Sequence, residues 1–150
     1  MKYRNPIISG YNPDPSICRV GEDYYIVNSS FEFYPGVPVY HSRNLVNWEL
    51  EGYCLTEESQ LDLHGCRPSG GIYAPTIRYH QGTFFMTTTN TSGKGNFIVH
   101  TSDMKKDGHS LPGWTRGGLT RLCCLTMTEL CILHPPAWTA KETREFFSAR

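Results

Sequence analysis

The sequence predicts an all-β fold built from repeated four-stranded units, the pattern of β-propeller blades. Three observations carry the prediction. Runs rich in β-branched and aromatic residues recur between Gly, Pro and Asn turn signals. Aromatics make up 13% of the chain, with nine tyrosines, a composition common in β-sheets and in surfaces that bind sugars. The chain also matches itself at a shift of 60 residues without a gap: Pro15 falls on Pro75, Ile17 on Ile77, Tyr24 on Phe84, Tyr25 on Phe85, Val39 on Val99 and Ser42 on Ser102. A repeat of short antiparallel strands, about four per unit, is the mark of a propeller blade. Two hairpin pairs of a β-sandwich are the competing architecture. Pro15 and Pro75, both at the first strand of their unit, favour the propeller.

Each element follows from local chemistry. Residues 1–11 form an extended lead-in broken at Pro6 and Gly10. Residues 17–20 and 24–29 flank the turn residues Gly21-Glu22-Asp23 and read as a hairpin. Pro35, Gly36 and Pro38 interrupt the chain, residues 37–41 form a third strand, residues 44–47 turn, and residues 48–53 form a fourth. A polar loop covers residues 54–69. The pattern then restarts: a strand at 74–79, a turn at His80-Gln81-Gly82, a strand at 83–89, a Gly/Ser loop at 90–95 and a strand at 97–101.

Composition narrows the function classes. Fourteen basic residues balance 14 acidic ones, with no basic stripe for nucleic acid. No run reaches transmembrane length, and residues 1–6 hold no apolar stretch of signal-peptide size, so a cytoplasmic protein without membrane contact is expected. The six cysteines are then expected as thiols. Their spacing contains no Cys-x-x-Cys pair, and no cofactor is expected.

Asn12-Pro13-Asp14-Pro15-Ser16 is the chemically suggestive stretch. Each proline fixes its own φ and drives the preceding residue toward extended geometry, so Asp14 sits on a stiff, non-helical mount. A catalytic carboxylate and a turn aspartate bonded to its own backbone both fit the pentapeptide taken alone. On a propeller, Asp14 would point into a funnel at the axis, together with Tyr73 and Ala74 of the next blade.

At these residues the chain resembles glycoside hydrolase family 43, in its β-xylosidase and α-L-arabinofuranosidase members. The matching segments are Asn5-Pro6-Ile7, Gly10-Tyr11-Asn12-Pro13-Asp14-Pro15-Ser16-Ile17, Asp23-Tyr24-Tyr25-Ile26, Ser30-Phe31-Glu32-Phe33-Tyr34-Pro35-Gly36-Val37-Pro38, His41-Ser42, Asn44-Leu45-Val46-Asn47-Trp48, Ser69-Gly70-Gly71-Ile72-Tyr73-Ala74-Pro75-Thr76 and Asn96-Phe97. The resemblance runs from about residue 3 to residue 106. It implies a five-bladed β-propeller, of which this stretch forms the first two blades. It also implies that Asp14 is the general base and that Phe31 walls the subsite of the terminal sugar. Tyr73 and Ala74 lie where the family usually has Trp-Ala, a smaller aromatic platform here. The implied reaction is inverting, exo-acting hydrolysis of xylo-oligosaccharides or arabinosyl side groups. Such a reaction needs a water-activating carboxylate and a proton-donating acid about 6.5–9.5 Å apart. The family's acid is a Glu on a later blade, expected beyond residue 150. Its third-blade Asp is expected near Thr120. Glu32, Glu49, Glu51, Glu57 and Glu58 are expected on loops or solvated faces, and Asp62 on a loop near the cleft.

The hairpin rhythm stops after about Asp107, which divides the chain into blades at 1–107 and an irregular tail at 108–150. Within the tail, Cys123, Cys124, Cys131 and His134 match no standard zinc spacing. Residues 139–149 carry a weak amphipathic helical pattern. Read one frame over, the codons for residues 118–133 force an Asp at Met127-Thr128 and permit Leu-Asp-Pro-Ser at the segment's start. That is a blade opening like the one at Asp14. A frameshift near residues 107–109 accounts for the tail, and sequencing of the encoding DNA checks it. The expectation is a marginally stable chain with weak or no activity. The alternative is a non-catalytic sugar-binding remnant or an unproductive fragment.

Overall fold

A computed structural model describes residues 3–93 and 95–104, and the backbone of residues 115–117. Eight strands follow one another: β1 (Ser16–Val20), β2 (Asp23–Val27), β3 (Gly36–Ser42), β4 (Glu49–Leu55), β5 (Ile72–His80), β6 (Thr83–Asn90), β7 (Gly95–Thr101) and β8 (Thr115–Gly117). They form two four-stranded meanders, β1-β2-β3-β4 and β5-β6-β7-β8, with every neighbouring pair antiparallel. The seven strands read from the sequence are all present, with ends moved by one or two residues. The eighth lies past the boundary expected at residue 107. Thr115-Arg116-Gly117 is three residues long and has no apolar alternation, so only pairing with β7 reveals it as a strand.

Turn chemistry sets the first ladder of each sheet. Val20 pairs with Asp23 across Gly21, which takes the positive φ (62°) that a two-residue hairpin needs. His80 pairs with Thr83 across Gln81 (45°) and Gly82 (81°), both positive as a type I′ turn requires. From Ser16↔Val27 to Val20↔Asp23 the pairs recur 60 residues later, from Thr76↔Thr87 to His80↔Thr83. The next ladder slips by one residue. Tyr24 faces Ser42, whereas Phe84 faces Thr101 rather than Ser102. The slip arises because residues 28–35 leave the first sheet, while the second ladder runs on to a tight turn at Asn90↔Gly95.

The sheets stack face to face, with inner strands β1 and β5 in contact. Their shared core holds Cys18, Val27, Val37, Val39, Cys54 and Leu55 from the first sheet. The second contributes Ile72, Ile77, Phe84, Met86, Phe97 and Val99. The Tyr25 ring meets the Phe84 ring edge-on at 5.2 Å, and the Ile77 amide donates to Ser16 Oγ at 3.2 Å. Burial pushes the Cys54 thiol well up, and the Cys18 thiol up against a partial opposing pull from Arg78 and the Tyr79 backbone. Both are free, inert core fillers, and Cys66 is free as well. Cys123, Cys124, Cys131 and His134, the helical pattern at 139–149, Thr120 and the shifted-frame segment lie outside the described residues.

Candidate active site

The segment Asn12-Pro13-Asp14 is pinned from two sides. Asn28 Nδ2 donates to the Asn12 and Pro13 carbonyls at 2.9 and 3.2 Å, and the Ser29 amide donates to the Pro13 carbonyl at 3.0 Å. The Tyr40 hydroxyl donates to Asn12 Oδ1 at 2.9 Å, and burial pushes that phenol up, which keeps it a neutral donor. Asn28 and Ser29 are buried, so the pins sit in the folded core rather than on a mobile surface.

Asp14 is held in the left-handed region at φ 51° rather than in the extended geometry expected of a residue before proline; Asp tolerates this conformation better than most residues, and the contacts on either side of it fix the backbone there. Its Oδ2 accepts a 2.6 Å hydrogen bond from the Ser29 hydroxyl. The partner lies across the sheet rather than on the aspartate's own turn. The residue is exposed, so water reaches the carboxylate. Ser29 is a contact of Asp14 that the sequence reading missed. Its one legible signal was the polar run Asn28-Ser29-Ser30 directly after an apolar strand. On either side of it, Asn28 Oδ1 and Ser30 Oγ are buried without a partner among the described residues, the kind of position an ordered water fills.

The same loop builds the aromatic wall. Two residues after Ser29, Phe31 exchanges both backbone hydrogen bonds with Ile72, at 2.9 and 3.0 Å. This bridge carries the loop onto the start of β5 and brings the Phe31 and Tyr73 rings to 5.2 Å with a 50° tilt. The neighbouring turn of the second sheet secures it: the Thr91 amide donates to Gly71 O at 2.8 Å and the Gly71 amide to Ser92 Oγ at 3.1 Å. Gly71 permits the approach. A Cβ there would collide with the Phe31 carbonyl oxygen, and its φ is +82°. The Asp14 carboxylate and the Phe31–Tyr73 ring pair are therefore both positioned by one continuous segment, residues 28–31.

The remaining candidates divide. Ala74 is exposed on β5, beside Tyr73. Glu32 pins the loop by accepting from the Ser69 amide at 3.2 Å. Glu51 faces His41 Nδ1 at 3.4 Å, and Glu49, Glu57 and Glu58 are exposed. Asp62 is exposed on the 56–71 loop and, with Glu58, Gln60, His64, Asn90 and Phe97, helps line a cavity of about 310 Å³. Among the described residues no three His, Cys, Asp or Glu side chains converge as a metal site requires.

Comparison with known proteins matches the family model for glycosyl hydrolases family 43 over residues 3–118. The chain is 59% identical over 95 residues to a non-reducing end alpha-L-arabinofuranosidase of Bacteroides ovatus, covering 63% of this chain and 18% of that protein. It is 52% identical over 90 residues to a beta-xylosidase of Bacillus subtilis, covering 60% of this chain and 17% of that protein. The fold overlays a xylan beta-1,4-xylosidase from Bacillus halodurans with a TM-score of 0.68 at 39% identity, covering 78% of this chain and 23% of that one. The chain thus spans about a fifth of the length of the proteins it matches, and its two sheets are the first two blades of a five-bladed propeller. A family match over residues 3–118, beside relatives that agree at more than half of the aligned positions, makes this chain a member of glycosyl hydrolases family 43.

Proposed function

We propose that this chain carries the base-bearing half of the active site of an inverting, exo-acting glycosidase. Its substrates are xylo-oligosaccharides or arabinosyl side groups. Asp14 serves as the general base that activates water, and Phe31 and Tyr73, with Ala74 beside them, wall the terminal sugar. The observation that carries this reading is the shared segment 28–31, which anchors Asp14 through Ser29 and presents Phe31 against Tyr73. Relatives named as beta-xylosidase and alpha-L-arabinofuranosidase support the substrate class.

The mechanism divides between two carboxylates. Asp14 would take a proton from water as that water attacks the anomeric carbon. A separate acid must protonate the leaving oxygen. In the family that acid belongs to a later blade, so the two blades bind the glycone without completing hydrolysis. Assay of the 150-residue chain with p-nitrophenyl xyloside and p-nitrophenyl arabinofuranoside tests this. Sugar binding with turnover far below that of a full-length relative is expected. Turnover near the relative's rate overturns the division of labour, provided Asp14→Asn abolishes it. If the Asn variant retains turnover, Asp14 is not the base.

A further inference from the structure

The aromatic wall does not stop at Phe31. The Tyr11 ring lies 5.9 Å from Phe31 with a 50° tilt, and the Phe33 ring lies 6.3 Å from Tyr11 with a 73° tilt. Together with the 5.2 Å Phe31–Tyr73 contact, the rings form one unbroken path. The inner members are half-buried, but Tyr11 is 65% exposed and Phe33 59% exposed. Two large rings turned toward solvent forgo the burial that normally stabilises aromatics. The backbone that carries both is nonetheless held in place. The Phe33 amide donates to the Ser30 carbonyl at 2.9 Å. Asn12, next to Tyr11, accepts from Tyr40 and donates to the Ser9 carbonyl at 3.1 Å.

From this continuity we infer that Tyr11 and Phe33 form a second saccharide subsite, which stacks the sugar ring next to the one held by Phe31 and Tyr73. The inference rests on the reading of that pair as the terminal-sugar wall. A sugar ring suits the shelf because it offers C–H faces to the rings and hydroxyls to the polar rim of Asn12 and Glu32. A protein partner suits it less, since standard interfaces take about 800 Å² from each side, far more than two rings supply. With their backbone anchored and their rings already in contact, the two side chains have only two χ angles each to lose on binding, so stacking would add to affinity.

The test is titration of the 150-residue chain, followed by NMR, with xylose, xylobiose and xylotriose. Xylobiose is expected to bind more tightly than xylose. Phe33→Ala should lower xylobiose affinity about three- to tenfold and leave xylose affinity unchanged, while Phe33→Tyr keeps it; Tyr11→Ala, which also removes a ring packed on Phe31, should lower xylobiose affinity more than xylose affinity. Phe31→Ala should remove xylose binding, which tests the terminal-sugar wall separately. Equal affinity for xylose and xylobiose in the native chain overturns the subsite. An unchanged xylobiose-to-xylose ratio in both alanine variants does the same. So does self-association that disappears with Phe33→Ala while sugar binding persists.

Discussion

Gly71 is the residue on which the candidate site turns. It sits where two backbones touch, and its side-chain hydrogen is the largest group the gap admits. Gly82 offers the natural control. Its φ is nearly the same (+81°), but a methyl group on its Cα would meet nothing within 4 Å. Gly82→Ala should therefore cost only the left-handed backbone penalty, about 1 kcal/mol. Gly71→Ala adds a collision with the Phe31 carbonyl and should cost about 3 kcal/mol. It should also open the Phe31–Ile72 bridge. Urea unfolding with hydrogen exchange at the Phe31 and Ile72 amides measures both effects. Equal costs at the two glycines would show that the close approach carries no stability. The Gly70-Gly71 pair was visible in the sequence, but its reason was not, because the atom it accommodates lies 40 residues away in the chain.

At the scale of elements, the outer part of the first sheet is tied by a charged cluster across β2, β3 and β4. Asp23 Oδ1 meets His41 Nε2 at 2.7 Å and Arg43 Nε at 2.9 Å, while Glu51 faces the other nitrogen of His41. The hydrogen bond from Arg43, then that from His41, holds the Asp23 carboxyl below the usual carboxylate range against a smaller opposing effect of burial. A carboxyl lowered on folding stabilises the native state above its unfolded value, near pH 4, and that contribution fades as pH falls through the lower native value. Chemical denaturation between pH 6 and pH 2.5 should show this loss in the native chain and a flatter profile in Asp23→Asn. Identical profiles would mean that the cluster is too solvated to matter. Sequence periodicity made the strands legible here, since alternation and turn residues are local. The cluster was not legible, because its members come from three strands and the bend after β3, joined only by register.

At the scale of the whole molecule, equivalent positions in the two blades have opposite fates. Ile17 and Ile77 are 60 residues apart and occupy the same ladder position, yet Ile17 is 50% exposed and Ile77 fully buried. Each blade has two faces. The first blade turns one of them toward the second, and the second meets it with the opposite face. Ile77→Ala should therefore cost about 2–5 kcal/mol and melt both sheets in one transition, whereas Ile17→Ala should cost less than about 1 kcal/mol. Thermal melts followed by far-ultraviolet dichroism decide this, and equal shifts would sink the stacked arrangement. The sequence alone determined the first seven strands, the hairpin turns and the repeat, because alternation and turn chemistry act between near neighbours; proline geometry favoured an extended Asp14, and tertiary contacts set it at φ 51° instead. Only the tertiary structure decided which face of each blade is buried, that Ser29 holds Asp14, and that Phe31 reaches Ile72 across Gly71. Those contacts join residues far apart in the chain, and no local pattern encodes how one sheet lies on another.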